Sequence, residues 1–402
     1  MPQEVGLIYS KEFSKYSFGK EHPLRPIRVE LTYSLMKQYG LLENESLAII
    51  PPRMATDEEL ARVHSRDYIE IIRKYSVLGS YSGMSREPFM YGLGPGDNPI
   101  FKGMYEASAL VAGASVVAAE QVMDETTGIH YCFNPAGGLH HALKSKASGF
   151  CIFNDIAVAI AHIKANYPGT KVMYIDIDVH HGDGVQWIFY DDPDVLTVDF
   201  HESGEFLFPG TGFTSEMGKG DAEGFKVNFP LLPRFYDDVY LNLFTRTVPD
   251  LAKAFQPDVI VSQLGVDTHF EDPLAGLGLD TSGQERVCRE IHKVAKNYAH
   301  DRWVPVGGGG YLMTVVPRSW TMFLAEMLGV KLPNKIPEEW VEEAHAQVTD
   351  EETPTELRDI NYSMESMLLR NPDFITEREL YADKLVNWVH ETILPLIEAR
   401  KS

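Results

Sequence analysis

Short apolar runs alternate with helical patterns along the chain from about residue 100. Continuous apolar runs separated by helices are typical of a parallel sheet that helices cover on both faces. Each run stops at glycine or at a cluster of polar residues, and in such sheets ligands bind at the carboxyl ends of the strands. The pattern therefore predicts an α/β fold with a mostly parallel central sheet. The four predicted strands are KVMYIDIDVHH (171–181), VLTVDFH (195–201), DVIVSQLGVD (258–267) and RWVPVGGGGY (302–311).

Helices are predicted before and between these strands. Residues 104–123 are rich in alanine and predict a largely buried helix. Residues 155–167 predict a second helix, which carries Asp155 at its start. Residues 283–299 predict a third helix, between the last two strands.

The last part of the chain has a different composition. Residues 348–359 (VTDEETPTELRD) are acidic and lack periodicity, so they predict a surface connection. Residues 377–400 return to an amphipathic helical pattern. We expect one main domain over residues 1–345, followed by an acidic connection and a C-terminal helical extension over residues 346–402.

Composition narrows the class of protein. With 402 residues, of which 44% are hydrophobic and 11% aromatic, the chain can fill a substantial core, which argues against a disordered or fibrous protein. The net charge of −22 argues against nucleic acid as a partner, because phosphate contacts need clustered lysine and arginine. Three cysteines are too few for a disulfide framework. No signal peptide is recognisable and no apolar stretch approaches the ~20 residues of a membrane helix, so we expect no membrane partner and a cytoplasmic location.

The first predicted strand carries three polar side chains on one face. Side chains alternate along a strand, so its isoleucines and valine face one way while Asp176, Asp178 and His180 face the other. Three such groups are costly to bury without a cation between them, although hydrogen-bonded or solvated polar residues are the simpler alternative. Since no thiolate biases the choice, an aspartate and a histidine could serve Zn²⁺, Fe²⁺ or Mn²⁺.

A catalytic metal site needs a further protein ligand and an open position for water. Asp267, at the end of the third predicted strand, is the natural candidate. Taken alone, an aspartate after a strand is more often a helix cap or a turn residue. Its interpretation as a ligand therefore depends on the other polar groups nearby.

Two adjacent histidines follow a glycine pair. His140 and His141 come after Gly137 and Gly138, and a surface histidine pair is an equally good interpretation of the two alone. Two spare carboxylates, Asp176 and Asp183, could each hold one imidazole through a ring N–H bond. Such pairs would supply a base for water and an acid for a leaving amine.

A tyrosine follows a run of four glycines. Tyr311 comes directly after Gly307 to Gly310, and the run lacks the lysine and hydroxyl residue of a phosphate-binding loop. The glycines would let the backbone pass close to a ligand and direct the tyrosine towards it. A phenol donor there would stabilise an oxyanion, and a buried core tyrosine is the alternative.

Taken together, these motifs resemble the histone deacetylase family. The resemblance runs from about residue 5 to residue 325, touches HPLRP near His22, and is closest in style to the prokaryotic acetoin-utilisation deacetylases. It implies a single arginase/deacetylase-like α/β domain, with a narrow tunnel leading to Zn²⁺ and with Fe²⁺ as the alternative metal. The motifs, in chain order, are GGLHHA, ASGFCIFNDIAVAI, YIDIDVHHGDGVQ, FPGTG, QLGVDTHFEDPLAGL and GGGGY.

The resemblance assigns roles to residues of this chain. Tyr311 would polarise the acetyl carbonyl. The catalytic dyad would be His140 and His141, oriented by Asp176 and Asp183 respectively. The metal ligands would be Asp178, His180 and Asp267.

Five further residues would contact the substrate. Phe150, after Gly149, and Phe208 would line the tunnel and hold the aliphatic stem of an acyl-lysine. Leu274 falls where polyamine-selective relatives carry a glutamate, so it favours acyl-lysine over an acetylpolyamine. Asp97 would match a rim aspartate that holds the substrate backbone, with a small gap in the alignment.

A structural potassium ion is also expected from the resemblance, behind the zinc. It would be held through Asp176, Asp178, His180 and the residues at positions 199 and 200. Position 199 is aspartate here, where a serine is usual. The extra carboxylate either binds that cation more tightly or displaces the arrangement.

The predicted activity is zinc-dependent hydrolysis that removes acetyl or related acyl groups from lysine side chains of proteins or peptides. An acetylpolyamine or other small acyl-amine hydrolase is the first alternative, and a two-metal arginase-like enzyme is another. A non-catalytic acyl-lysine reader or scaffold is the alternative outside enzymes. The C-terminal helix could mediate assembly into a homo-oligomer.

Overall fold

The computed structural model describes residues 3–81, 85–359 and 372–399. At its centre the described chain forms one sheet of eight strands, and every neighbouring pair is parallel. The strands are β1 (Val5–Ile8), β2 (Leu47–Ile50), β3 (Tyr131–Phe133), β4 (Val172–Asp176), β5 (Val195–Glu202), β6 (Lys226–Leu231), β7 (Val259–Gln263) and β8 (Trp303–Val306). Their order across the sheet is β2-β1-β3-β8-β7-β4-β5-β6. The predicted α/β fold with a parallel sheet is confirmed.

The four predicted strands correspond to β4, β5, β7 and β8, and three of them are shorter than predicted. β7 ends at Gln263 instead of residue 267, and β8 ends at Val306 instead of residue 311. β4 ends at Asp176, although we predicted a strand as far as residue 181. The Asp176 Oδ1 accepts a hydrogen bond from the Asp178 N–H, and the Asp178 Oδ1 accepts one from the His180 N–H, both at 3.0 Å. These carboxylates take backbone donors that a longer strand would have used in its ladder.

The other four strands were not predicted from the sequence. β1, β2 and β3 contain only three or four residues each. An apolar run this short cannot be distinguished from part of a helix or a loop by periodicity. Their pairing in the sheet is what makes them strands.

The helices form two groups around the sheet. The longest, α5, is buried along most of its length and packs against α6 and α3. In the second group α1 packs on α10, α10 on α9 and α9 on α8. The helices before the C-terminal extension are α1 (Ile27–Gln38), α2 (Asp57–Leu60), α3 (Arg66–Leu78), α4 (Glu87–Met90), α5 (Met104–Met123), α6 (Asp155–Asn166), α7 (Asp183–Ile188), α8 (Asp237–Phe255), α9 (Thr281–Tyr298), α10 (Val316–Met327) and α11 (Glu338–Gln347). Short 3-10 turns cover Lys11–Lys15, Leu41–Glu43 and Gly220–Ala222.

The C-terminal helix is longer than predicted and is interrupted. It comprises α12 (Pro372–Trp388), a π-helical turn (Val389–Ile393) and α13 (Leu394–Ala399), and it packs on α8. Pro395 has no N–H to donate, which accounts for the break in the α-helical pattern just before it. The predicted end at residue 400 lies outside the described residues.

The polar residues predicted from the sequence collect at one edge of the sheet. β3, β8, β7 and β4 are neighbours, and parallel strands present their carboxyl ends on the same side. The histidine pair follows β3, the glycine run with its tyrosine follows β8, Asp267 follows β7, and Asp178 with His180 follow β4.

Candidate active site

Three potential metal ligands converge at the carboxyl end of β4. Asp178, His180 and Asp267 are all buried, and one ligand atom of each lies within 4.8 Å of the others. The His180 Nδ1 lies 3.1 Å from the Asp178 Oδ1 and 3.1 Å from the Asp267 Oδ2. The structure therefore brings together the three side chains that the sequence analysis proposed as ligands.

The chemistry of this cluster fits a divalent cation. Burial and the nearby charge of Asp178 raise the pKa of Asp267 above its usual range. Burial alone would lower the pKa of His180, but its hydrogen bonds to the two carboxylates raise it to about 10. Two buried carboxylates beside one imidazole thus need a compensating positive charge, which a metal ion would supply. A ligand set of two oxygens and one nitrogen, without sulfur, suits Zn²⁺ or Fe²⁺.

The cluster is oriented by groups from β7 and from the glycine run. The Gln263 side chain donates to the Asp178 Oδ2 at 2.5 Å, and the Gly309 N–H donates to the same oxygen at 2.7 Å. The Val179 N–H donates to the Asp267 Oδ1 at 2.9 Å. A side chain at Gly309 would place its Cβ 2.0 Å from the Asp267 Oδ2, so only glycine lets the backbone approach this closely.

The two histidines form a chain of contacts with two aspartates. The His140 Nδ1 lies 2.8 Å from the Asp176 Oδ2, and the His141 Nδ1 lies 2.8 Å from the Asp183 Oδ1. The two Nε2 atoms are 3.0 Å apart. Both aspartate partners proposed from the sequence therefore lie where each can accept a ring N–H.

The two imidazoles differ in their affinity for a proton. Burial opposes charge on His140, but the carboxylates of Asp176 and Asp178 raise its pKa to about 10. Burial and the neighbouring charge of His140 lower the pKa of His141 to about 4. The surroundings of the dyad therefore favour a proton on His140 over a proton on His141.

The loop that carries the histidines is fixed by the start of α6. The Asp155 carboxylate accepts from the Gly138 and Leu139 N–H groups, at 3.1 and 2.7 Å. The Asn154 side chain donates to the carbonyl oxygens of His140 and Ala142 at 3.1 and 3.0 Å. From the sequence Asp155 was interpreted only as the start of a helix. The motif ASGFCIFNDIAVAI, which contains Asp155, was the available signal for this second role.

Tyr311 lies beside the candidate ligand cluster and beside Phe150. Its ring centroid is 6.3 Å from that of His180 and 5.7 Å from that of Phe150. The Tyr311 N–H donates to the Asp272 Oδ2 at 3.0 Å. Burial, together with the charge of Asp267, raises the pKa of its phenol well above the usual range. The phenol therefore keeps its proton at neutral pH and can act as a donor.

Arg28 was not identified from the sequence, although it supports the same loop. Its guanidinium is buried and donates to the carbonyl oxygens of Gly308 and Gly310, at 2.6 and 3.2 Å. A cavity of about 20 Å³, room for about one water molecule, lies among Arg28, the histidine pair and Tyr311. The reacting groups thus surround a narrow space.

Phe208 contacts the histidine dyad, and Phe150 lines the same small cavity as the two histidines. The Phe208 ring is 5.0 Å from the ring of His141 and is 42% exposed, so it reaches from the site to the surface. Gly149 also lies against His141, where an added Cβ would be 2.4 Å from the imidazole Cδ2. The Phe150 ring lies 4.5 Å from that of His22, in the HPLRP motif.

Asp97 and Leu274 lie farther from the reacting groups. Asp97 is exposed and shares a surface groove with Phe208, and its carbonyl oxygen is 3.2 Å from the His22 Nε2. Leu274 is half-buried on the loop after Asp267, and its N–H donates to Asp272 at 2.9 Å. The substrate contacts of both residues stay predictions.

Asp199 is engaged by groups of the chain itself. Its Oδ2 accepts from the Gly182 N–H at 2.8 Å, and its Oδ1 lies 2.5 Å from the His201 Nδ1. Burial would raise the pKa of Asp199, but the proximity of His201 lowers it. Both oxygens of Asp199 therefore already have one partner each within the chain.

Comparison with known proteins relates this site to one family. The Histone deacetylase domain matches residues 22–327 of the chain. The acetoin utilization protein AcuC of Bacillus subtilis (strain 168) is 43% identical over 335 residues, which cover 83% of this chain and 84% of that protein. The AcuC protein of Staphylococcus xylosus is 37% identical over 346 residues, with coverage of 85% and 87%.

Solved structures give the same relationship. The crystal structure of an HDAC homolog from Aquifex aeolicus matches with a TM-score of 0.80 at 31% identity, and covers 94% of this chain and 100% of that one. An HDAC homolog complexed with SAHA matches equally well. Within the described residues, none of the helices has the length and apolar character that a membrane crossing requires.

Proposed function

The chain belongs to the histone deacetylase family, and on this basis we propose that it hydrolyses the amide bond of acetylated or related acylated lysine side chains. The observation that carries the proposal is the convergence of three kinds of group at one edge of the sheet. These are a buried ligand cluster, a histidine dyad with its own carboxylates, and a tyrosine on a glycine-rich loop. Metal-dependent hydrolysis of an amide uses all three, because it combines activated water, proton transfer and an oxyanion donor.

The proposed resident metal is one Zn²⁺, with Fe²⁺ as the alternative. Asp178, His180 and Asp267 would hold it, and it would lower the pKa of a water molecule and polarise the acyl carbonyl. Gln263 fixes Asp178 from behind, so the ligand keeps one orientation.

The dyad would transfer the protons. His141 would accept a proton from the attacking water at Nε2, since its Nδ1 is held by Asp183. His140, held at Nδ1 by Asp176, would deliver a proton from Nε2 to the departing amine. Because the two Nε2 atoms are 3.0 Å apart, a proton can pass between them without movement of the loop.

Tyr311 would donate its phenol hydrogen to the acyl oxygen as negative charge develops there. Its protonated state at neutral pH and its position next to His180 support this role. Phe150, Gly149 and Phe208 would enclose the aliphatic part of the substrate, with Asp97 at the rim.

The identity of the substrate is the more specific part of the proposal. Leu274 offers no charge to a polyamine, which favours an acyl-lysine over an acetylpolyamine. The AcuC relatives are named acetoin utilization proteins, and we propose a role in acetoin utilization for this chain.

The remaining expectations are also proposals. A structural potassium ion would be held through Asp176, Asp178, His180 and Phe200, with Asp199 drawn away to His201. A catalytic domain over residues 1–345, a cytoplasmic location and a homo-oligomer built on the C-terminal helices stay predictions.

A substrate comparison tests the proposal. The zinc-loaded protein is assayed with an acetyl-lysine peptide, an acetylpolyamine and arginine, and the metal content per chain is measured. We expect one divalent ion per chain and the highest kcat/KM on the peptide. A higher kcat/KM on the acetylpolyamine would make that compound class the substrate instead. Hydrolysis of arginine with two ions per chain would favour an arginase-like enzyme. Binding of the acetyl-lysine peptide without turnover would favour a reader.

A further inference from the structure

The acidic segment Val348–Asp359 lies against the body of the protein along its length. The side chains of Val348 and Leu357 are fully buried. At one end Asp350 forms an ion pair with Arg25 at 2.9 Å, and at the other the Asp359 carboxylate accepts from Arg318 at 2.7 Å. The sequence alone predicted a surface connection here, so these contacts give the segment an additional structural role.

Glu351, within this segment, binds the turn that follows Tyr311. Its Oε1 accepts from the Met313 N–H at 2.9 Å. Its Oε2 accepts from the Thr314 N–H at 3.0 Å and from the Thr314 hydroxyl at 2.8 Å. All three donors thus converge on one carboxylate.

This carboxylate lies at the turn that leads into α10. The turn begins at Leu312, whose carbonyl accepts from the N–H groups of Val315 and Val316, and no side chain of the turn itself caps α10. A negative charge near the N-terminus of a helix is favourable. Glu351 places its carboxylate on the two residues just before that N-terminus, from a segment distant in the sequence.

Tyr311 is therefore anchored on both sides. Before Tyr311, Arg28 donates hydrogen bonds to the carbonyl oxygens of Gly308 and Gly310. The N–H of Tyr311 itself donates to Asp272. After it, only one residue separates Tyr311 from Met313, which Glu351 holds. Four glycines precede the tyrosine, so the anchor on the far side limits how far the loop can shift.

We propose that Glu351 is a positioning residue for Tyr311, so that the acidic segment is a working part of the catalytic unit. This inference rests on the proposed function, in which the Tyr311 hydroxyl stabilises the transition state. A positioning role predicts a loss in kcat with little change in KM, because the affected interaction is made in the transition state.

The experiment compares Glu351→Ala and Glu351→Gln with a matched control. Glu352 is the exposed neighbour, and Glu352→Gln removes the same charge next to the same site. On an acetyl-lysine peptide we expect Glu351→Ala to lower kcat by about 10- to 100-fold, as for a displacement of ~1 Å. Glu351→Gln, which keeps one acceptor oxygen, should fall between Glu351→Ala and the unchanged protein, and Glu352→Gln should retain full activity.

A double-mutant cycle separates positioning from general stability. In a Tyr311→Phe background, Glu351→Ala should change kcat by no more than about twofold, because the group it positions is already gone. Thermal unfolding of each variant is measured alongside, and the cycle is run with Glu351→Gln where Glu351→Ala does not fold.

The outcomes distinguish this inference from the proposed function. Full activity of Glu351→Ala, or the same fold-loss with and without the Tyr311 hydroxyl, overturns the positioning role while leaving the proposed function intact. Full activity of Tyr311→Phe overturns the role of the tyrosine and the inference with it.

Discussion

The close packing of Gly149 against His141 allows the effect of a substitution at Gly149 to be predicted from interatomic distances. Gly149 has a positive φ of 49°, and an added Cβ would lie 2.4 Å from the His141 Cδ2 and 2.8 Å from its Cγ. These atoms belong to a buried imidazole whose Nδ1 is 2.8 Å from Asp183. Gly149→Ala therefore presses a methyl group against a ring that has a fixed partner on its other side.

Two effects of different size follow from this substitution. A left-handed backbone at a non-glycine residue costs about 1–2 kcal/mol in stability. Carbon atoms pack at about 3.5–4.0 Å, so the ring or the loop must also move by more than ~1 Å to relieve the contact. A displacement of that size at a catalytic group lowers the rate by about 10²-fold.

Gly169 provides the control that separates the two effects. It also has a positive φ, 85°, but an added Cβ there meets no atom within 4 Å. Gly169→Ala thus carries the backbone penalty without the contact with His141. Both variants are compared by thermal unfolding and by kcat on an acetyl-lysine peptide. We expect both to lose stability and only Gly149→Ala to lose about 10²-fold in kcat.

The reasoning would be refuted by either of two results. Wild-type kcat in Gly149→Ala would mean that the position of His141 is not critical for turnover. An equal loss of activity in Gly169→Ala would mean that backbone strain anywhere in the fold, and not the imidazole, limits the rate.

Three other predictions concern the site and its surroundings. Tyr311→Phe keeps the ring and removes the hydroxyl, so kcat should fall by about 10²–10³-fold at similar KM; a loss of affinity alone would contradict the oxyanion role. His141→Ala should lower kcat by ~10²–10⁴-fold while metal content stays the same, which elemental analysis checks. Burial lowers the pKa of His64 from 6.5 to about 4. Between these pH values the unfolded chain binds more protons than the folded protein does. The free energy of unfolding should therefore fall as the pH drops from 6.5 to 4. His64→Gln, which does not titrate, should show a shallower decline in denaturant titrations, and an equal decline would exclude His64 as a source.

The central strand shows how far the sequence pattern leads. The alternation along residues 171–181 placed Asp176, Asp178 and His180 on one face, and these side chains do meet at one edge of the sheet. The strand itself ends at Asp176. In the turn that follows, the carboxylates of Asp176 and Asp178 accept hydrogen bonds from the N–H groups of Asp178 and His180 respectively. The pattern identified side chains that lie close together in the fold, because spacing along a chain constrains which groups can meet even when the local backbone differs from a strand.

The groups that support the site could not be predicted in the same way. Arg28 contacts Gly308 across 280 positions of sequence, Asp272 contacts Tyr311 across 39, and Glu351 contacts Met313 across 38. No local spacing relates such pairs, since they become neighbours only when the sheet assembles. A buried arginine and two partly or fully buried acids leave no periodic signal of their own.

The short strands at one side of the sheet were missed for a related reason. β1 and β3 pair with each other in register, and β3 directly precedes the loop of the histidine dyad. Three or four apolar residues carry too little periodicity to predict a strand. Their structure is determined by their neighbours in the sheet and not by their own sequence.

The central claim is that one metal ion at Asp178, His180 and Asp267 is required for hydrolysis of an acyl-lysine. The most direct measurement is turnover of an acetyl-lysine peptide by the full chain before chelation, after verified metal removal, and during titration with Zn²⁺, with Asp267→Asn as the variant that lacks one ligand. The account predicts no turnover without metal, full recovery at one equivalent of Zn²⁺ per chain, and no recovery in the variant. Undiminished turnover by the metal-free protein, or inactivity of the protein with one ion bound, would contradict it.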